Sequence, residues 1–339
     1  MLKKLLHSRE ITSIAFIIFM FLGVGAINPA FLSSANIWLC LNSSVVYTVV
    51  AVGIALVIIT GEIDVSVGAT LGITAAVSST MIRDGQPWFV AIGAALLIGL
   101  AIGTINGFGV TVLKVPSIIM TLGINGIVRG LIYVFTNGKW VENIPFDYKN
   151  LAQGRLLGSI TYFYLGAILL IVAVHLILTR TKRGKYLAAV GDNIGGSTLL
   201  GIPVDMTKFA AFALCGVLAA VGGVLYVSRV GFVTPIAGNG YEMKVIAACV
   251  LGGISLSGGV GSVIGAGVGA AIMASISRIL VFIGFSSDYD DTITGVLLII
   301  IVVSDALIRR RAVEQARRVR LSAKTQHVAA VRKEATVGE

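Results

Sequence analysis

The chain has 339 residues, of which 56% are hydrophobic and only 12% charged, with a formal net charge of +10. Soluble domains carry about 25% charged residues, so the composition excludes a soluble globular protein and describes an all-α, polytopic membrane protein. The basic excess does not mark a nucleic-acid binder, because Lys3, Lys4 and Arg9, then Arg180, Lys182, Arg183 and Lys185, then Arg309, Arg310 and Arg311 all flank apolar runs, as in cytoplasmic loops.

Apolar segments long enough for about 30 Å of hydrocarbon follow one another along the chain. They are expected at 11–28, 39–60, 65–82, 88–112, 116–136, 159–179, 209–228, 245–257, 261–283 and 291–308. The first, with its basic start and small-residue end, imitates a signal peptide but reads as an uncleaved helix. Ten crossings put both termini on one side, and the basic ends make that side the cytoplasm. Segment 245–257 is short and runs into glycines, so a half-helix or re-entrant segment is expected there, shielded by protein or a water-filled cavity. Residues 1–308 then form one membrane domain, with 180–208 as its main cytoplasmic loop, and 309–339 form a basic, poorly ordered cytoplasmic tail.

Between the second and third segments stands GEIDVSVG, Gly61–Gly68, where Glu62 and Asp64 interrupt an apolar stretch. A carboxylate at mid-bilayer costs on the order of 2.5–3.5 kcal/mol. Either Asp64 or Ser66 caps the helix that follows, with glycines permitting the turn, or the acids lie on a polar pathway. The stretch has an echo in GGISLSGG, Gly252–Gly259, which aligns Gly61 with Gly252. Paired glycine-broken segments in two halves of a transporter point to a central site.

A polar stripe, Ser117, Thr121, Asn125 and Arg129, recurs every fourth residue. Ser117 reads as interhelical glue, whereas Asn125 and Arg129 could face a cavity for a polyhydroxylated solute. Gly99, Gly103 and Gly107, and again Gly261, Gly265 and Gly269, form ladders for close helix packing. Asn106 beside the first ladder is either glue or lining. Cys40, Cys215 and Cys249 lie in apolar runs and read as small buried hydrophobes, with no disulfide and no metal site. His175 reads as a packing residue. There is no G-x-x-x-x-G-K-[ST] motif, and no nucleophile–base pair stands at helical spacing. A transporter of this kind that uses ATP therefore needs its ATPase on another chain.

Several stretches resemble one family, the membrane permeases of ribose-type ABC sugar importers: TGEIDVSVGA, NGFGVTVLKVPSIIMTLG, GDNIGGSTLLGIPV and EMKVIAACVLGGISLSGGVGSVIGA. Within it, TNGKWVENIP, AAVGDN and GNGYEMKVIAACVLGGISL are most similar to the branch that imports autoinducer-2, a sugar-like signalling molecule. The resemblance implies a ten-helix permease in a bacterial inner membrane, without covalent chemistry of its own. It also implies a related second permease, two copies of a cytoplasmic ATPase that hold ATP and Mg, and a periplasmic solute-binding protein.

Carried onto this sequence, the resemblance places Gly191, Asp192, Asn193 and Gly201 in the ATPase-coupling loop, beside Lys182 and Arg183. Gly61, Asp64, Ser66 and Gly68 would lie in the glycine-acid turn, with Gly252, Gly253 and Gly259 in its counterpart. Glu62 departs from the family pattern. Glu62, Asp64, Ser66, Asn106, Asn125, Arg129, Ser255 and Ser257 are the candidates to line or gate the path, and Lys139, Trp140, Glu142, Arg229 and Glu242 to dock the binding protein. The same machine for ribose, rhamnose or another monosaccharide is the first alternative. A proton-coupled carrier using Glu62, Asp64 or His175 is the second.

Overall fold

The computed structural model of the chain describes residues 9–157, 159–304 and Leu307. The expected tail and the basic clusters at either end lie outside the described residues, apart from the backbone of Arg9. The chain divides into two units after Val296. Of the second unit, 297–304 and Leu307 are described, and they are helical. The first unit is built from thirteen α-helices with assigned ends, two short 3-10 helices (Pro29–Leu32 and Ser287–Tyr289) and one two-stranded hairpin among its described residues.

In chain order these are α1 (Arg9–Ile27), α2 (Ser34–Ser43), α3 (Val45–Ile59), α4 (Val67–Arg83), α5 (Trp88–Thr111) and α6 (Ser117–Thr136). A short helix α7 (Phe146–Leu151) precedes the hairpin β1 (Arg155–Leu157) and β2 (Ile160–Thr161). Then come α8 (Tyr162–Arg180), α9 (Lys182–Asp192), α10 (Ile194–Leu199), α11 (Val204–Val230), α12 (Tyr241–Leu251) and α13 (Val263–Phe282). Residues 290–296 are also helical.

Among the described residues, α5, α6, α8, α11 and α13 are long and apolar enough to cross a membrane alone. The segment expected at 39–60 is instead a pair, α2 and α3, bent by 41° at Ser44. Segment 245–257 stops early, at Leu251, as a short half-helix.

Apolar all round, α3 is the central helix: every residue from Val45 to Ile59 except Tyr47 is buried. Glycines set its neighbours' distances. A β-carbon on Gly53 would meet the Cys215 backbone of α11 at 3.3 Å. Gly99 and Gly103 of α5 lie against the Gly216 and Phe212 carbonyls of α11, so any side chain there would overlap backbone. Gly265 and Gly269 of α13 do the same against Gly252 and Ala248. The expected third rung, Gly261, stands outside the ladder in the loop before α13, packed on Ile254. By contrast only 6% of the most apolar window of α8 is buried, against 67% for α13. Its Leu169, Val172 and Leu176 face outward, as lipid contact requires.

Candidate functional site: a glycine joint between two broken helices

The chain leaves α3 through a left-handed glycine. Gly61 has φ +85°, its N–H donates to the Ile58 carbonyl, and the Glu62 N–H donates to Val57. Residues 62–65 then form no regular secondary structure, and within a membrane protein the N–H groups of Ile63 and Val65 need acceptors outside a helix. The stripe on α6 satisfies them. Ile63 N donates to Ser117 Oγ at 3.3 Å, and Val65 N donates to Thr121 Oγ1 at 3.1 Å. Thr121→Val preserves shape but leaves a buried N–H without an acceptor. We expect a loss of about 1–3 kcal/mol in stability, read as a lower Tm of the purified chain; an unchanged Tm would remove this role.

Asp64 is 1% exposed and accepts from Ser66 N at 2.8 Å and Ser66 Oγ at 2.6 Å. Asn106 Nδ2 in turn donates to Ser66 Oγ at 2.8 Å. Asp64 thus closes the turn onto Ser66, and α4 starts at Val67 with no side-chain cap from Ser66. Asp64, Ser66 and Asn106 are therefore brought together, fully packed, with Asn106 Oδ1 the one member atom left unpartnered.

The second break repeats the first in a shifted register. Gly253, with φ +84°, donates to Val250, and Ile254 N donates to Cys249. These are the two hydrogen bonds made by Gly61 and Glu62. Gly61 therefore corresponds to Gly253, one position later than the sequence match to Gly252 suggests. The return loop, 252–262, is also longer than 60–66. Of its candidate path residues, Ser255 is fully buried and Ser257 is exposed, with the Ser257 carbonyl beside Gly61.

The C-terminal end of α9 meets both breaks. Gly259 N donates to the Ile59 carbonyl at 2.9 Å, tying the second loop to the end of α3. Gly191 lies against that same carbonyl and against Gly259 N, so closely that a β-carbon would overlap both. A β-carbon on Gly258 would fall 2.7 Å from Gly61 N and 3.0 Å from Gly191 Cα, and one on Gly259 2.7 Å from Asp192 Cα. Three backbones thus touch where each has a glycine.

Glu62 contributes an ion pair here. Its Oε1 lies 2.5 Å from Lys208 Nζ, with the two side chains 17% and 12% exposed. Lys208 was not singled out in the sequence; the lone cation opening the apolar run KFAAFALCG is the signal that could have found it. The rest of the loop is ordered by caps. Thr181 accepts from Gly184 N at the start of α9, and Asn193 accepts from Gly196 N at the start of α10. Gly201 turns the chain at φ +73°. Lys182 and Arg183 are exposed, and the apolar Leu199 and Leu200 are 91% and 81% exposed at the loop's tip.

Arg129 is held by the loop before α12 and by its first turn. Its Nη1 and Nη2 donate to the Ala237 and Gly238 carbonyls at 2.8 and 2.7 Å, and Nη2 lies 3.6 Å from Glu242 Oε2. Glu242, expected in an outer docking surface, is instead 7% exposed in the first turn of α12. Its carboxylate packs on Gly68 in the first turn of α4, so two helix N-termini and one guanidinium balance its charge. Asn125, on the same stripe, keeps its Oδ1 buried and unpartnered. Of the other docking candidates, Lys139, Trp140 and Glu142 are exposed. They stand where Val141 and Val233 exchange backbone hydrogen bonds of 2.8 and 3.0 Å and Trp140 stacks on Phe232 at 5.5 Å. Arg229, in the last turn of α11, turns toward Ser43 instead.

A family model described as branched-chain amino acid transport system / permease component matches residues 36–302. The autoinducer 2 import system permease protein LsrC of Enterobacter sp. (strain 638) is 37% identical over 321 residues, 95% of this chain and 93% of that one. Its namesake from Salmonella typhi is 38% identical over 91% of this chain and 89% of its own. That of Yersinia pseudotuberculosis serotype O:1b (strain IP 31758) is 38% identical over 91% and 88%. No solved structure matches. The glycine-broken helices, the apolar spans and these matched lengths agree: the chain belongs to the ABC-importer permease family that the matching model describes as branched-chain amino acid transport system / permease component.

Proposed function

We propose that this chain is one permease subunit of an ABC importer for autoinducer-2, crossing a bacterial inner membrane ten times with both termini in the cytoplasm. ATP and Mg are held by two copies of a separate cytoplasmic ATPase. A related second permease completes the path, and a periplasmic binding protein delivers the solute near Lys139, Trp140 and Glu142. The observation that carries the mechanism is the seat of Gly191 against Ile59 and Gly259. Movement of the cytoplasmic loop has no slack there, so a push on α9 reaches both broken helices at once. Exposed Leu199 and Leu200 give a partner an apolar handle on that loop.

In this reading Asp64, Ser66 and Asn106 stiffen the first break, and Glu62 with Lys208 ties it to the base of α11. The solute rests on the named relatives. The deciding experiment is uptake by cells that lack their own importers and express this chain with its ATPase, second permease and binding protein. We expect autoinducer-2 to be taken up in preference to ribose, rhamnose and leucine. Preference for one of the others would replace the solute and leave the machine intact. Uptake that persists without the ATPase and collapses with the proton gradient would overturn the importer reading itself.

A further inference from the structure

At the end of the bundle opposite the joint, two contiguous cavities of ≈ 470 and ≈ 300 Å³ share Ser43, Val46, Arg229 and Arg278 in their walls. The placement follows from chain direction, since α3 runs from Tyr47 to the joint at Ile59, and α11 runs from Lys208 at the joint to Arg229. The larger cavity also reaches Asn42 and Arg155 of the hairpin, and the smaller is walled by Tyr47 and Tyr241, stacked 4.7 Å apart at 4°.

Two guanidiniums on spanning helices face these spaces with no carboxylate to balance them. Arg229 donates to the Ser43 carbonyl, and Arg278 Nη1 donates to Asn36 Oδ1 at 2.9 Å; both acceptors are neutral. No carboxylate lies within 4 Å of either among the described residues, and none lines either cavity. The acids at the margin are committed elsewhere: Asp290 and Asp291 pair with Lys244 at 2.8 and 3.0 Å, and Asp290 also accepts from Ser277. Arg278 is half-buried and Arg229 is exposed at the mouth of the cavity, so their like charges are brought together at lower cost when an anion sits between them. A guanidinium carries five donors in a planar fork, and each of these has spent one on a neutral partner. That fork matches the paired oxygens of a phosphate-type group, and the volume suits a small ligand rather than a lone ion.

We propose that the cavity between Arg229 and Arg278 is an oxyanion site for a phosphate-type group, supplied either by a soluble phosphate monoester or by the headgroup of an anionic phospholipid. The site stands apart from the glycine joint and does not depend on the transported solute.

The test uses the full chain purified in detergent. Native mass spectrometry reads retention of phosphatidylglycerol against phosphatidylethanolamine, and titration calorimetry reads inorganic phosphate and glycerol 1-phosphate. Retention of phosphatidylglycerol alone supports the site with a lipid source, and binding of glycerol 1-phosphate supports it with a soluble source. In either case Arg229→Gln and Arg278→Gln each weaken binding by about tenfold or more. Phenylglyoxal modification of the unaltered chain, mapped by peptide mass, guards against variants that fail to fold: the bound ligand protects Arg229 and Arg278. Binding that is unchanged in both variants overturns the proposal. So does failure of every probe to bind while both arginines stay fully reactive.

Discussion

Gly191→Ala is expected to lower uptake through the assembled importer by about tenfold or more, equivalent to about 1.4 kcal/mol in the working equilibrium, while Gly195→Ala leaves it unchanged. Helix propensity alone argues the other way. Alanine is favoured over glycine inside a helix by about 1 kcal/mol, so an unencumbered Gly191 would tolerate the change and α9 would gain from it. The contact decides the sign, because the added methyl overlaps the Ile59 carbonyl and the Gly259 N–H. Those two groups are hydrogen-bonded to each other at 2.9 Å, so relief requires either breaking that bond or lifting α9 off the joint. Gly195 has only the Asn193 side chain near it, at 3.5 Å. The measurement is uptake normalised to the amount of each variant in the membrane. Wild-type uptake by Gly191→Ala would show that the joint does not carry the motion.

What the sequence made legible follows from which signals are local. Membrane spans are long apolar runs, so the helices α5, α6, α8, α11 and α13 fall within a few residues of their expected bounds. The two breaks were legible as glycine clusters, but not their register. The letters of GEIDVSVG match GGISLSGG when Gly61 meets Gly252, whereas the turn hydrogen bonds pair Gly61 with Gly253. The matched Ile63 and Ile254 differ in burial, the first partly and the second fully enclosed, so shared letters do not fix the register of the turn. Glu242 was misplaced because GNGYE reads as a polar loop. The glycines at 238 and 240 instead take φ +75° and +78° and start α12, which carries the glutamate inward to Arg129. The joint itself was beyond reach: the resemblance puts Gly191 in the coupling loop, but Gly191 is far along the chain from both breaks and nothing local says what it touches. Only the convergence of Ile59, Gly191 and Gly259 gives it meaning.

The second large effect separates two carboxylates that look alike in the sequence. Asp64→Ala is expected to destabilise the chain by about 3 kcal/mol or more, because it strands the buried Ser66 N–H and hydroxyl that Asp64 accepts. Glu62→Ala removes a partner from Lys208, whose long side chain at the start of α11 can turn toward water; a loss of about 1–2 kcal/mol is expected. The double variant Glu62→Ala with Lys208→Met is then milder than Glu62→Ala alone, since no uncompensated ammonium remains. Asp64→Asn sharpens the comparison. Its carbonyl oxygen still accepts from Ser66, and the negative charge it removes has no cation within 4 Å among the described residues. We expect Asp64→Asn to keep the Tm and the uptake of the parent. A folded Asp64→Asn variant with abolished uptake would mean that the carboxylate serves transport directly. Equal and negligible effects of Asp64→Ala and Glu62→Ala on Tm and uptake would discard the ranking, and with it the assignment of Asp64 as the residue that holds the first break closed.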